Sequence, residues 1–365
     1  MAEPAGLSSV AWEPCLLERR PDPELTRFVR EHAGMVPPHL DYFTSCPWLA
    51  REFAYWDPMR IPLLVLEPAL VEMIELVVAQ DNSCRYCFAA TQTMLRALGF
   101  GNDTFRVLQQ NLVSADVPPR SRAALDFARH LSRANPLPDA DALAALATQG
   151  FDRDAVREIV YMTGLSVLAN RVITLTAVPP ADMERMSEKR WLVFLRPLTA
   201  FVFRRNRRRL GPTGLPPAMR DGPFGSLVSA YDGHPLGPRL WTQIDGAWSS
   251  PILPARTKAL VAAVVAHALG CASGIAEARR LLAADGPRDL DTILAHLASP
   301  ELTPAEAVIV PFVRETVHYT PAQIQRRART VHEHLGTPAF LETIGVAALS
   351  NALCRMAAVL VPPRS

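Results

Sequence analysis

The chain has 365 residues, of which 49% are hydrophobic and 20% charged, so it can bury a large core, and its length suggests two domains. Its net charge of +2 gives no reason to expect a nucleic acid or a membrane as partner. No basic start with a long apolar run opens the chain, and no uncharged apolar segment approaches the length of a membrane span. We therefore expect a cytoplasmic protein whose six cysteines are mostly reduced thiols.

The first part of the chain has the pattern of short helices followed by a long apolar one. Residues 1–22 are polar and contain prolines, which indicates an extended or loosely attached lead-in. The predicted helices begin at Pro23 and then cover about Tyr42 to Phe53, Pro62 to Ala79 and Cys84 to Leu98. Between the last two, Asp81, Asn82 and Ser83 end one helix and offer cap residues for the next.

Three further segments have apolar residues three and four positions apart, with acidic residues early, which favours helices over strands. They are Ser121 to Leu131, Asp139 to Ala147 and Asp152 to Leu175. The last of them is apolar nearly all round and should be buried. Because no run alternates as a half-buried strand does, the sequence predicts an all-α protein.

The chain also matches itself. Val77–Cys84 corresponds to Val264–Cys271 without a gap, an offset of 187 residues, and Arg171 falls opposite Arg355 at an offset of 184. A slowly drifting offset indicates an internal duplication. The predicted organisation is a lead-in (1–22), a first helical domain (23–180), a linker (181–222) and a second helical domain (223–365).

The linker contains an aromatic and apolar run, Trp191–Phe203, followed by several arginines up to Arg209. Such a segment can lie on an anionic membrane surface or against a partner. We favour a connecting helix whose apolar side packs on the protein and whose arginines are solvated or paired.

The chemistry points to Cys84-Arg85-Tyr86-Cys87, at the start of a predicted helix. Residues three apart share a helical face, so the two sulfurs can close a disulfide. If Ser83 caps the helix, the backbone N–H groups and the helix dipole favour the Cys84 thiolate, and Arg85 adds to this effect. A thiolate here can attack a peroxide or a disulfide, and the neighbouring cysteine can resolve the product. The simpler alternative is a pair of small core residues.

These residues resemble the alkylhydroperoxidase D-like and carboxymuconolactone decarboxylase family. Glu72, Cys84 and Cys87 fit the spacing of its redox-active members, whereas Thr91 stands where they have a histidine. The resemblance covers most of residues 36–180 and, more weakly, 223–363, so it implies two fused alkylhydroperoxidase D-like domains. It implies that Cys87 attacks the peroxide and that Cys84 is the more exposed thiol, which exchanges with a reductant.

A buried Glu72 is expected to have a raised pKa and to pass protons. With Thr91 in the histidine position this proton relay is interrupted, because a hydroxyl does not titrate near neutral pH. Four further residues are predicted to surround the site, Asp81, Tyr86, Asn170 and Arg171, of which the last two would fix loop carbonyls or a glutamate. We interpret His39 as a partly exposed loop histidine.

The second copy is predicted to be catalytically silent, because Gly274 replaces Cys87, Ala259 replaces Glu72 and Ala278 replaces Thr91. Zinc is not expected, since no second cysteine or histidine pair at ligand spacing accompanies the first. No metal or organic cofactor is required by the predicted chemistry.

The sequence therefore predicts a cysteine-dependent oxidoreductase of peroxidase type that reduces a peroxide or disulfide and is itself reduced by a protein or small thiol. A carboxymuconolactone decarboxylase-like enzyme acting on a small carboxylated substrate is one alternative. A non-catalytic binding or structural homologue is another. Single-domain members of the family associate, so a homo-oligomer is expected.

Overall fold

The computed structural model describes residues 7–34, 36–56, 61–100, 117–207 and 213–361. Over these ranges the secondary structure is helical and contains no β-strand, which confirms the all-α prediction. The helices of the first half are α1 (Pro23–Ala33), α2 (Pro47–Glu52), α3 (Pro68–Asp81), α4 (Arg85–Ala97), α5 (Pro119–Arg133), α6 (Ala140–Thr148) and α7 (Arg153–Leu175).

A middle segment and the second half continue the helical pattern. The middle segment contains α8 (Ala181–Ser187), α9 (Arg196–Arg207) and α10 (Pro217–Asp221). The second half contains α11 (Gly225–Ala230), α12 (Leu236–Ser249), α13 (Ala255–Ala268), α14 (Ala272–Leu281), α15 (Leu290–His296), α16 (Pro304–Glu315), α17 (Pro321–Leu335) and α18 (Thr337–Leu360). Short 3-10 helices cover Leu7–Ser9, Leu40–Tyr42, Phe53–Tyr55 and Arg190–Leu195.

The two longest helices, α7 and α18, pack against each other and join the halves. Both are apolar nearly all round and almost wholly buried, as predicted for α7. They approach closely at Gly164, where an added Cβ would lie 2.3 Å from the Cε atom of Met356. Around this pair, α3 contacts α4, α5 and α7, while α13 contacts α14, α16 and α18.

Helix α18 has the length and composition of a membrane span, with a mean hydropathy of 1.5 in its most apolar window. However, 83% of that window is buried inside the protein. Its charged residues Glu342 and Arg355 are both fully buried and hydrogen-bonded to other parts of the chain. Helix α18 is therefore a core helix of this fold.

Buried carboxylates on the central helices hold the segments that lead into α3 and α13. Glu158 of α7 accepts the backbone N–H groups of Val65 at 3.0 Å and Leu66 at 2.7 Å. Glu342 of α18 accepts the N–H of Leu253 at 3.2 Å. The predicted helix from Pro62 is wrong in its first six residues, because this backbone bonds to Glu158 and α3 begins only at Pro68.

Two other predictions for the first fifty residues need correction. The segment from Tyr42 to Phe53 is not one helix, because Pro47 has no N–H to continue a helix from Phe43, and α2 starts at that proline. The lead-in is not loosely attached over its described part. Leu16 and Leu17 are buried, and the Trp12 indole N–H donates to the carbonyl of Val178 at 3.1 Å.

The middle segment is more than a connection. Leu192 and Thr199 are buried against the first half, and the Thr199 hydroxyl donates to the carbonyl of Ala97 at 3.1 Å. The apolar side packs only in part, because Phe194 is 79% exposed and Phe201 is 55% exposed. The side chains of Arg204 and Arg207, and all of Arg208 and Arg209, lie outside the described part. The proposed domain boundaries remain predictions.

Candidate active site at the Cys84–Cys87 pair

The turn between α3 and α4 positions the two cysteines. Ser83 adopts a left-handed conformation with a φ of 52°. Cys84 then takes the extended N-cap conformation of α4, with φ −83° and ψ 96°, and its Sγ accepts the backbone N–H of Cys87 at 3.3 Å. The cap is therefore Cys84 and not Ser83, because a left-handed residue cannot occupy the extended N-cap position.

Cys84 and Cys87 are joined by a disulfide, with their Cα atoms 5.4 Å apart. Cys84 is fully buried in the hydrophobic core, whereas Cys87 is half-buried and lines a cavity. The greater exposure of Cys84 that the resemblance implied is wrong in this structure, because its sulfur caps α4 from the core side. Of the two cysteines, Cys87 is the one that lines the cavity.

Arg85, between the two cysteines, forms bonds to residues of two other segments. Its guanidinium forms a two-point ion pair with Glu184 of α8, with distances of 2.9 and 3.0 Å, and donates to the carbonyl of Val10 at 3.2 Å. These bonds tie the start of α4 to the lead-in and to the middle segment. Glu184 thus partly neutralises the positive charge of Arg85, which was expected from the sequence to favour the Cys84 thiolate.

The cavity beside Cys87 has a volume of about 630 Å³ and is mostly apolar. Its walls come from α4, α7, the loop before Leu40 and the middle segment. The apolar side chains on these walls include Phe53, Trp56, Met94, Leu165, Ile173, Met183, Leu192, Leu195, Leu198 and Val202. The polar ones are His39, Glu75, Tyr86, Thr91, Thr93, Ser166, Asn170 and Thr199. Among the described lining residues there is no lysine or arginine.

His39 and Tyr86 form a hydrogen-bonded pair on the cavity wall. The His39 Nδ1 atom lies 2.7 Å from the Tyr86 hydroxyl, and the two rings meet edge to face with centroids 5.0 Å apart. His39 is only 8% exposed, so the prediction of a partly exposed loop histidine is wrong. Its Nε2 atom is buried and has no hydrogen-bond partner among the described residues. The double proline before His39 was the one local signal for this position.

Burial sets the protonation of this pair. It lowers the pKa of His39 to about 3, with a further contribution from the charge of Arg19. Burial also raises the pKa of the Tyr86 phenol, helped by the negative charge of Asp182. At neutral pH both groups are therefore uncharged, and the phenol keeps its proton.

Glu72 is fully buried on α3, as predicted. It does not line the cavity, but Glu75, one turn later on the same helix, does. Residues three apart lie on one helical face, so the two carboxyl groups are neighbours on α3. Glu75 was missed from the sequence, although its spacing of three residues from Glu72 carries the signal.

Thr91 lies on the cavity wall, one turn after Cys87. It is 6% exposed, and its hydroxyl donates to the backbone carbonyl of Cys87 at 3.0 Å. This bond occupies the hydroxyl proton within α4. The Thr91 hydroxyl therefore offers no hydrogen-bond donor to the cavity.

The predicted surrounding residues hold the α3–α4 turn. Arg171 donates to the Asn82 side-chain oxygen at 2.7 Å and to the carbonyl of Val317 at 2.9 Å. Asp81 accepts a bond from Arg133 at 2.8 Å, and burial raises its pKa in spite of that arginine. Asn170 is 2% exposed and lines the cavity.

Within the described ranges, no group of three or more histidine, cysteine, aspartate or glutamate side chains is arranged to hold a metal ion.

Comparisons with known proteins place these features in context. No protein-family model matches the chain. YnjA, an uncharacterised protein of Escherichia coli, is 26% identical over 165 residues, which are 44% of this chain and 88% of that protein.

Two solved structures are also similar. One is entitled alkylhydroperoxidase AhpD core, an uncharacterised peroxidase-related protein from Ralstonia eutropha, with 28% identity, a TM-score of 0.41, and coverage of 48% of this chain and 98% of that one. The other is an uncharacterised peroxidase-related protein from Silicibacter, with 25% identity, a TM-score of 0.39, and coverage of 49% and 98%.

Each of these proteins matches slightly less than half of the present chain.

The second half contains a turn of the same form as the one at Cys84. Cys271 is the N-cap of α14, with φ −86° and ψ 96°, and its Sγ accepts the N–H of Gly274 at 3.4 Å. Gly270, just before it, has a φ of 63°. These values match those of Cys84 and Ser83 at the offset of 187 residues. The internal duplication itself remains a prediction.

Proposed function

We propose that this chain is a thiol–disulfide oxidoreductase of peroxidase type, in which Cys84 and Cys87 alternate between dithiol and disulfide. The observation that carries the proposal is the position of Cys87, which is bonded to Cys84 and lines an apolar cavity. A structural disulfide needs no such cavity, whereas a thiol that reacts with a substrate does.

The reaction follows from the geometry. In the reduced chain, the Cys87 thiolate attacks the distal oxygen of a hydroperoxide, so that an S–O bond forms as the O–O bond breaks. The alkoxide leaves as an alcohol after it takes up a proton. The Cys84 thiol then displaces the oxygen of the Cys87 sulfenic acid as water, and the disulfide forms. A dithiol reductant, either a protein or a small molecule, restores both thiols by exchange.

The substrate that fits this cavity has an apolar body. A hydroperoxide carrying an alkyl or aryl group buries that group against the leucine and methionine side chains of the middle segment. A carboxylated substrate fits poorly, because the described lining has no cationic side chain and His39 is uncharged. This disfavours the decarboxylase-like alternative.

We infer that His39 takes over the hydrogen bond that Thr91 does not supply. When the Tyr86 hydroxyl donates to Nδ1, the neutral imidazole carries its proton on Nε2, which has no partner among the described residues. An Nε2–H group on the cavity wall stabilises the negative charge that develops on the leaving oxygen. Because its pKa is near 3, His39 acts as a donor and not as a base.

We propose that Glu75 is the acid that protonates the alkoxide. Among the described residues that line the cavity, it is the one with a carboxyl group. Glu72, buried one turn before it, keeps the role that the resemblance implies and passes the proton onward. We place the reaction in a reducing compartment such as the cytoplasm, where thiol reductants are abundant.

We also propose that the chain forms a homo-oligomer through the exposed apolar part of the middle segment. Phe194, Leu198 and Phe201 are each more than half exposed. Light scattering of the wild type and of a Phe194→Ser/Phe201→Ser variant tests this. The variant should have the mass of a single chain, and an unchanged mass would exclude this face as the interface.

The proposed activity is tested by following the loss of cumene hydroperoxide with a dithiol reductant. The wild type, Cys84→Ser and Cys87→Ser are compared, with Cys46→Ser as control for a buried thiol outside the site. We expect turnover in the wild type and the control and none in the other two. If neither site substitution changes the rate, the proposal is wrong.

A further inference from the structure

The second half contains another pair of thiols in contact, although it lacks a Cys-x-x-Cys. Cys271 caps the start of α14, and Cys354 lies on the central helix α18, 83 residues later. The Cys271 thiol donates a hydrogen bond to the Cys354 backbone carbonyl oxygen, at a distance of 3.4 Å. Both are free thiols in this structure and nearly fully buried.

Gly274 shows why the two sulfurs meet. It stands at the position of Cys87, three residues after Cys271, and has no side chain. A Cβ atom added there would lie 2.7 Å from the Cys354 Sγ and 3.2 Å from the Cys271 Sγ. The sulfur of Cys354 therefore occupies the space that a side chain at residue 274 would take. Cys354 of α18 thus lies where the second cysteine of a Cys-x-x-Cys motif would lie.

The surroundings favour a thiolate on Cys271. The neighbouring Cys354 is the largest influence that lowers the pKa of Cys271, and burial opposes it. The Ser273 hydroxyl, the Gly274 N–H and the buried Arg355 guanidinium contribute further, and the pKa of Cys271 falls to about 6. The neighbouring Cys271 and burial both raise the pKa of Cys354, so Cys271 is the thiol of the pair that ionises first.

Burial alone would raise the pKa of a cysteine thiol, as Cys46 shows. That thiol is fully buried outside both pairs, and desolvation raises its pKa. The contrast separates Cys271 from a cysteine that only fills space in the core.

We propose that Cys271 and Cys354 are a second redox-active thiol pair, which forms a disulfide between α14 and α18 on oxidation by a hydroperoxide. The Cys271 thiolate attacks one peroxide oxygen, the O–O bond breaks, and the leaving oxygen takes a proton to become water or an alcohol. The Cys354 sulfur then bonds to the Cys271 sulfenic acid, and water leaves with the Cys354 proton. Two thiols lose two electrons, and the peroxide gains them.

This pair does not depend on the Cys84–Cys87 reaction. The prediction of a silent second copy rested on cysteines close in sequence, and Cys354 is brought to Cys271 only by the packing of α18 on α14. The site would take small peroxides such as hydrogen peroxide, because its sulfurs are only 1–2% exposed.

The test uses the full chain with Cys84→Ser and Cys87→Ser, so that the first pair is absent. The protein is treated with hydrogen peroxide, unfolded with an alkylating agent, digested without reductant and analysed by mass spectrometry. We expect a disulfide-linked peptide pair containing Cys271 and Cys354, while Cys15 and Cys46 are recovered alkylated. With Cys354→Ala added, Cys271 should instead be trapped as a sulfenic acid by dimedone that is present while the oxidised protein is unfolded.

Gly274→Ala provides a second variant, because its methyl group displaces the Cys354 sulfur and should lower the disulfide yield. Separate alkylated Cys271 and Cys354 peptides after peroxide treatment, with helical circular dichroism unchanged, would overturn the proposal. Equal oxidation of Cys46 would do the same, since it would show that the reaction has no preference for the pair.

Discussion

The Nδ1 atom of His39 lies 2.7 Å from the hydroxyl of Tyr86, which stands between the two cysteines of the α4 turn. Forty-seven residues separate the two along the chain. Their contact brings an imidazole to the wall of the cavity beside Cys87, where Thr91 stands at the position for which the sequence resemblance implies a histidine. In the proposed function, this loop histidine supplies the hydrogen bond that Thr91 does not.

Replacement of His39 tests this role. His39→Gln should lower kcat for cumene hydroperoxide by about 10²-fold, because a hydrogen bond to the leaving oxygen is lost in the transition state. Tyr86→Phe should also lower kcat, but by a smaller factor. Without the phenol donating to Nδ1, the His39 imidazole is no longer held in the tautomer that carries its proton on Nε2. Steady-state kinetics that separate kcat from KM measure both. His32→Gln, at an exposed histidine, is the matched control, and an equal loss in that variant would contradict the assignment.

The buried His39 should also make stability depend on pH. Its pKa in the folded chain, about 3, lies below the ordinary value of 6.5, so between these values the unfolded chain binds more protons. The contribution is complete above pH 6.5 and declines as the pH falls, by up to about 1.4 kcal/mol per pH unit. Urea unfolding at pH 7 and pH 4.5 should show a loss about 2 kcal/mol smaller in His39→Gln than in wild type. If both proteins lost the same free energy of unfolding between pH 7 and pH 4.5, the pKa of His39 would be the same in the folded and the unfolded chain.

Restoring a histidine at residue 91 should raise peroxide turnover. Thr91 faces the cavity and uses its hydroxyl only to bond the Cys87 carbonyl, so the imidazole in Thr91→His has space to enter. Thr93→His is the control, because Thr93 also lines the cavity and bonds a carbonyl, that of Ala89, at 2.9 Å. Faster peroxide turnover in Thr91→His but not in Thr93→His would show that the histidine must stand at residue 91 to take part in the reaction. A gain in neither variant, with both cysteines still reactive, would favour thiol exchange over peroxide reduction.

The buried ion pair between Lys258 and Glu342 should contribute strongly to folding. The Nζ and Oε1 atoms are 2.9 Å apart, and the two side chains are 1% and 0% exposed. Glu342→Gln leaves a buried ammonium group without its counter-charge, and should lower the free energy of unfolding by about 3–5 kcal/mol. Asp291→Asn removes the exposed partner of Arg279 and should cost less than about 1 kcal/mol. Similar losses in urea unfolding would contradict the difference in burial.

Much of the site could be predicted from sequence because its signals are local. The spacing of Cys84 and Cys87 on one helix, and the apolar run around Glu72, are properties of single helices, and the structure agrees with both. Arg171 was placed near the turn through the resemblance, and it bonds to Asn82.

The features that sequence reasoning missed depend on tertiary packing. His39 lies in a loop with no helical period, and its burial follows from Phe53 and Tyr86 closing around it. Cys354 meets Cys271 only because α18 packs on α14. The cavity wall formed by the middle segment was also missed, because an apolar run predicts packing on the protein without showing which side chains it packs against.

The central claim is that Cys87 and Cys84 together reduce a hydroperoxide, and a single-turnover experiment tests it most directly. The chain is reduced, freed of reductant and mixed with an equal amount of cumene hydroperoxide, and cumyl alcohol and free thiols are measured together. We predict one alcohol formed for every two thiols lost, with the new disulfide mapped to Cys84 and Cys87, and no such disulfide in Cys84→Ser. Peroxide that remains intact, or that is consumed while both thiols stay free, would contradict the account.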